Sequence, residues 1–233
     1  MERLFYAPDI TAVSELPEDE SQHCVRVLRL KNDDFITITD GKGFFYEACI
    51  TDIHPKHCRV SVTKRWQQKQ FPDYKVHIAV APTKNMDRME WFVEKATEIG
   101  IDTITCLLCR RSERKELKLL RLVKTAVSAM KQSQKAFLPQ INEMVDFQSF
   151  ISRESDEVKM IASCTDDYRQ PVKLCYTPKR DALILIGPEG DFCPDEINIA
   201  LSAGFTPVSL GESRLRTETA ALVACHTIHL LNQ

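Results

Sequence analysis

The spacing of apolar residues divides the chain into two regimes. Through the first seventy residues, apolar and polar positions alternate with the two-residue period of half-buried strands. Phe35-Ile36-Thr37-Ile38-Thr39 shows it, as do residues 44–53 and Cys58-Arg59-Val60-Ser61-Val62-Thr63. Asp40-Gly41-Lys42-Gly43 separates the first two runs, and Asp-Gly between β-rich runs marks a hairpin. Ahead of them, Glu18-Asp19-Glu20 follows Pro17 and opens a short helix to about Val25. Several short strands in so little chain predict a small barrel over 1–70. Residues 64–73, mostly polar and carrying Pro72, read as a linker.

From 71 to 233 the pattern becomes strand–helix alternation. Apolar runs of buried-strand type occupy 76–81, 101–108, 158–162, 182–186 and 205–210. Helices are expected at 87–99, 115–133, 194–203 and 217–231. In the first of these, Met89, Phe92, Val93, Ala96 and Ile99 form an apolar stripe, and Gly100 is a natural stop. Strands alternating with helices imply a mostly parallel, covered sheet. The fold class is therefore α/β, with a smaller β unit in front.

Composition changes this picture little. The 233 residues are 43% hydrophobic and 27% charged, enough for a core without metals or disulfides. No run approaches the roughly 20 apolar residues that cross a bilayer. Met1-Glu2-Arg3-Leu4-Phe5-Tyr6 lacks the layout of a secretory signal, so a cytoplasmic location is expected. The nine cysteines are scattered and read as small buried apolar residues. Cys106 and Cys109 sit in or beside an apolar run, His54 and His57 in a loop, and His226 and His229 on the last helix without a third ligand. No metal site is expected.

Charge adds a partner. The net charge is −2, yet nine basic residues fall between Arg110 and Lys135 against two acids, with a second basic cluster at Arg26, Arg29 and Lys31. Local basic surface can bind phosphate on a near-neutral protein, and a solvated helix face would look the same.

Two segments carry candidate chemistry. Leu183-Ile184-Leu185-Ile186 runs straight into Gly187-Pro188-Glu189-Gly190-Asp191, and Val208-Ser209-Leu210 runs through Gly211 to Arg214-Leu215-Arg216-Thr217-Glu218. Tight loops at the carboxyl ends of strands are where open α/β sheets bind ligands. A plain strand-to-helix turn would use the same glycines. Thr217 suits an N-cap and Glu218 the positive end of the helix dipole, whereas structure alone does not ask for Arg214 and Arg216. Neither G-x-G-x-x-G nor a Walker loop is present.

The ordered set of motifs resembles the RsmE family, bacterial methyltransferases of 16S ribosomal RNA acting at uridine N3. It comprises Arg3-Leu4-Phe5, His23-Cys24-Val25-Arg26-Val27-Leu28-Arg29, Glu94-Lys95-Ala96-Thr97-Glu98-Ile99-Gly100, the stretch from Gln132 to Pro139, and the two glycine loops. Asp191 stands where the family has a further glycine, and Lys131-Gln132-Ser133-Gln134-Lys135 where it has Glu-Gln-Ser-Gly-Arg. The resemblance implies an N-terminal PUA-like RNA-binding barrel and a C-terminal SPOUT domain with a trefoil knot. It also implies S-adenosylmethionine as cofactor, a homodimer, and 16S ribosomal RNA or the small subunit as substrate. By position, Ile186, Gly187, Gly190, Leu210, Gly211, Leu215 and Thr217 would line the cofactor site. Arg216 would stabilise the base oxygen and Glu218 assist removal of the N3 proton, with phosphate binding and helix capping as their alternatives. Arg3, Arg26, Arg29, Arg110, Arg111 and Lys135 are the candidate RNA contacts.

Overall fold

The computed structural model describes residues 4–68, 72–164 and 169–233. It divides into two compact units, Met1–Phe71 with Val127–Leu138, and Pro72–Ala126 with Pro139–Gln233.

The first unit is built on a four-stranded sheet among the described residues: β1 (Leu4–Tyr6), β2 (Phe35–Thr39), β3 (Phe44–Asp52) and β4 (Arg59–Gln67), in that order. β1 lies parallel to β2, and the remaining pairs are antiparallel. The Asp-Gly hairpin forms as its residues demand. Gly41 and Gly43 take left-handed φ of 71° and 106°. The Asp40 carboxylate accepts from the backbone N–H groups of Lys42 and Phe44, and Tyr46 donates its hydroxyl to it at 3.0 Å. Phe5, Ile10, Ile36, Ile38, Tyr46, Ile50 and Val60 fill the core beneath. Strand β4 runs through Gln67, so the front of the expected linker is ladder: its residues pair with Glu47 to Phe44 on β3. Polar composition misled there because the strand's side chains from Ser61 to Gln67 are exposed. The short helix α1 (Glu18–Gln22) continues as a π-helical turn, His23–Val27.

Residues 127–138 join this unit from far along the chain. Gly43 donates its N–H to Ala136 O at 2.8 Å, Leu138 to Gly41 O at 2.9 Å, and the Lys131 ammonium lies 2.6 Å from the buried Glu20 carboxylate.

Among the described residues, the second unit carries seven strands in the order β7-β6-β5-β10-β8-β11-β9, every neighbouring pair parallel. They are β5 (Val76–Val80), β6 (Thr103–Leu108), β7 (Gln140–Asp146), β8 (Val158–Ala162), β9 (Gln170–Pro171), β10 (Ala182–Ile186) and β11 (Thr206–Ser209). Five residues of β10 are all buried, as a strand covered on both faces requires. Helices α2 (Met86–Ile99) and α7 (Thr217–Leu231) pack together, with α7 against β5 and β10; α4 (Phe147–Ile151) and α6 (Pro194–Ser202) pack together, with α4 against β6 and β7. In α2 the stripe Met89, Phe92, Val93 and Ala96 is buried, and Gly100 ends the helix at φ 123°. Helix α3 (Leu119–Gln132) starts four residues later than its charge pattern suggests. Before it, Arg114 donates to the carbonyls of Thr83 and Lys84. Edge strands β7 and β9 and the short helices α4 and α5 (Val172–Cys175) had no clear period to announce them. Among the described residues, no helix is long and apolar enough to cross a membrane.

Candidate active site

Parallel pairing of β10 with β8, and of β8 with β11, brings their carboxyl ends together. The loop after β10 is closely packed and hydrogen-bonded. A Cβ on Gly187 would lie 3.1 Å from both the backbone N and the ring of Phe192, closer than the loop tolerates without shifting. Asp191 takes φ 60°, a left-handed conformation that Asp adopts more readily than most residues. Its two carboxylate oxygens accept from Phe192 N and Cys164 N, each at 2.8 Å. The acid that replaces the family's glycine thereby fixes its own loop and ties it to the end of β8. Arg111 donates to Gly190 O at 2.8 Å and to Phe192 O at 3.4 Å.

The second loop leads from β11 through Gly211, at φ 127°, to helix α7. Its N-cap is Arg216, not Thr217 as expected. Thr217 is already helical, and its buried hydroxyl turns to donate to Gly187 O at 3.1 Å, joining the two loops. That bond satisfies a carbonyl in the first loop, which a local cap would not do.

Between the loops lies a cavity of about 350 Å³. Its walls include apolar Ala162, Ile186, Leu215 and Ala220, with Arg88, Arg214 and Arg216 supplying positive charge and Glu189 negative. Of the residues expected from sequence, Ile186, Gly187, Leu215, Thr217 and Arg216 line it. Gly190, Leu210 and Gly211 are not among its walls; Gly190 sits in the first loop under Arg111, and Leu210 and Gly211 begin the second. Arg88, Ala162 and Cys164 were not foreseen. Ala162 ends an ordinary apolar strand and Cys164 follows it, and Arg88 comes from a helix far away in sequence, so no local signal marks them.

Glu218 faces a second cavity of about 590 Å³ that shares Arg88, Arg214, Leu215 and Arg216 with the first. It is only 7% exposed. One carboxylate oxygen is 3.8 Å from Arg88 Nε, and the other is buried with no hydrogen-bond partner among the described residues.

The basic residues divide. Arg26 and Arg29 are exposed in the first unit, where Lys135 is partly buried. In the second unit Arg110 pairs with Asp195 at 2.7 Å and Arg111 holds the loop described above. Arg121 pairs with Asp87 and Glu90, so part of the basic stretch serves internal contacts. Arg3 lies outside the described residues. Burial pushes the Cys106 thiol up to about 12, and Cys109 is raised for the same reason. No group of three or more His, Cys, Asp or Glu able to hold a metal occurs among the described residues.

The parallel sheet with paired glycine loops at its carboxyl edge belongs to an RNA methyltransferase domain. Residues 69–229 match the RNA methyltransferase domain, and residues 16–63 the RNA methyltransferase PUA domain. The chain belongs to the ribosomal RNA small subunit methyltransferase E family, RsmE. The family's enzyme from Buchnera aphidicola is 30% identical over 214 residues, covering 88% of this chain and 83% of that protein. A crystal structure of a probable rRNA-methyltransferase from Porphyromonas gingivalis is 46% identical, with a TM-score of 0.93 and coverage of 99% and 98%. That of the family enzyme from Neisseria gonorrhoeae, bound to S-adenosyl methionine, is 25% identical, with a TM-score of 0.87 and coverage of 99% and 98%.

Proposed function

We propose that this chain methylates a uridine at N3 in 16S ribosomal RNA of the small subunit, using S-adenosylmethionine. The observation that carries the proposal is the cavity between the two glycine loops, with a buried, half-partnered carboxylate beside it. Its residues suit the donor. Ile186, Leu215 and Ala220 offer apolar walls to an adenine ring, and Gly187 keeps the loop close where a side chain would meet Phe192. Gly190, Leu210 and Gly211 act by shaping the loops around it. When bound, S-adenosylmethionine supplies an electrophilic methyl group, so the protein's main task is alignment.

Uridine N3 carries a proton and becomes a nucleophile only when that proton leaves. The buried oxygen of Glu218 accepts it, the pair of electrons staying on the base. Arg216 donates hydrogen bonds to the base oxygen on which the resulting negative charge collects. Because N3 lies on the pairing edge, the base must be unpaired or flipped out. Arg26, Arg29 and Lys135, with Arg110 and Arg111, supply phosphate contacts, and Arg3 is assigned the same role from sequence. Residues 1–70, completed by residues 127–138, serve as the RNA-binding domain, and 71–233 carry the methyltransferase domain, in a cytoplasmic homodimer.

The test is methylation of small subunits or 16S ribosomal RNA from cells lacking this modification, followed by nucleoside digestion. N3-methyluridine is the expected product, and a methyl group on ribose would overturn the proposal. Arg216→Ala should cut turnover by about 100-fold or more. Full turnover with unchanged RNA affinity would remove Arg216 from the chemistry.

A further inference from the structure

Helix α2 sends two side chains toward the second cavity that the sequence motifs do not mark. Arg88 and Trp91 are spaced i, i+3 on one helical face, and both line it. The rest of this stretch behaves as core: Met89, Phe92 and Val93 are buried. Trp91 instead remains 41% exposed. A partly exposed indole offers a flat apolar face on which a planar ring can stack. Opposite it, α7 presents the Glu218 carboxylate, whose second oxygen is buried and unpartnered among the described residues. Arg88, Arg214 and Arg216 line the same cavity, as does Asp87, and Arg88 Nε lies 3.8 Å from the Glu218 carboxylate.

This set of groups has a definite hydrogen-bonding character. A carboxylate accepts only, and guanidinium groups donate only. An acceptor flanked by donors complements the edge of uracil, whose N3–H donates between two accepting carbonyls. It opposes cytosine, which has a lone pair at N3 and a donating amino group beside it. Bases taken out of a helix are commonly read on this edge while stacked on an aromatic side chain.

We infer that the cavity walled by Trp91, Arg88, Glu218 and Arg216 is the receiving site for the extruded uracil, with Trp91 as its stacking surface. The inference rests on the uridine reading proposed above and adds to it the basis of uracil selection. Arg88 acts as a positioning residue here, holding the carboxylate from the side facing α2.

The experiment uses the full-length protein with Trp91→Ala, Trp91→Phe and Trp91→Leu, assayed on 16S ribosomal RNA or small subunits. Trp91→Ala should lower kcat/KM for RNA by about 10- to 100-fold, the range found when a stacking aromatic is truncated. S-adenosylmethionine affinity by calorimetry should not change, since Trp91 is not a wall of the donor cavity. Trp91→Phe should restore most of the loss and Trp91→Leu should not, because leucine fills space without a π face. RNA with cytidine at the target position should accept no methyl group. Wild-type kcat/KM in Trp91→Ala, or equal rescue by leucine and phenylalanine, would overturn the inference. So would loss of activity that coincides with a change of oligomeric state in sedimentation, which would make Trp91 a contact between copies. Failure of the wild-type protein to make N3-methyluridine would instead overturn the methylation reading itself.

Discussion

At Gly187 an added methyl group would crowd the loop after β10. Its Cβ would meet Phe192 N and the Phe192 ring at 3.1 Å, and Phe192 is buried. Gly187→Ala should cost about 1–3 kcal/mol of stability and weaken S-adenosylmethionine binding, as read by denaturant melts and calorimetry. An unchanged affinity would place the donor elsewhere. Cys164 offers a second probe, being the exposed cysteine and a wall of the same cavity. Alkylation near pH 8 should label Cys164 readily, and S-adenosylmethionine should slow it. Cys106, pushed up to about 12 by burial, should stay unlabelled in the folded protein. Protection is the deciding readout, since mere reactivity would follow from exposure. The glycines themselves were visible in the sequence as punctuation after apolar runs. The fitness of Asp191 was not, because its φ and its bond to Cys164 N depend on where β8 ends.

Among the elements, the parallel sheet supplies both rigidity and a pH response. Glu157 immediately precedes β8, and His77 belongs to β5, with Nδ1 3.6 Å from a Glu157 oxygen. The His77 ring beside it holds the Glu157 carboxyl below its ordinary value, with help from the Ser155 hydroxyl that donates to it. A carboxyl depressed in the folded state contributes stability above its unfolded value of about 4.3. That contribution is lost as pH falls through the lower folded value. Glu157→Gln should therefore reduce stability at neutral pH and flatten its decline on acidification below about pH 4. Urea melts across pH 3 to 7 measure this, and a variant curve parallel to wild type would dismiss the pair. Helix and strand positions in this unit were largely legible, β8 and β10 to the residue. The misses share a cause: β7 is a half-exposed edge strand and β9 has two residues, so neither presents a periodic apolar face.

On the scale of the whole molecule, the first unit depends on chain that follows α2 and β6. Fragment 1–71 lacks the acceptor for Gly43 N–H at Ala136, the donor to Gly41 O at Leu138, and the partner of buried Glu20 at Lys131. Leaving a buried carboxylate and backbone groups unpaired costs several kcal/mol, comparable to the stability of so small a unit. The fragment alone should show no cooperative thermal transition by circular dichroism. A sharp transition would mean that residues 127–138 are dispensable to it. The sequence by itself determined the two regimes of periodicity, the hairpin, most helices and strands, and the pair of glycine loops, because each is written in neighbouring residues. Only the tertiary structure decided that β8 lies between β10 and β11, and that residues 127–138 join the first unit. It also decided that Arg88 and Trp91 share a cavity with Glu218. Those outcomes join residues far apart in the chain, and local hydrophobic patterning carries no information about which strand ends become neighbours.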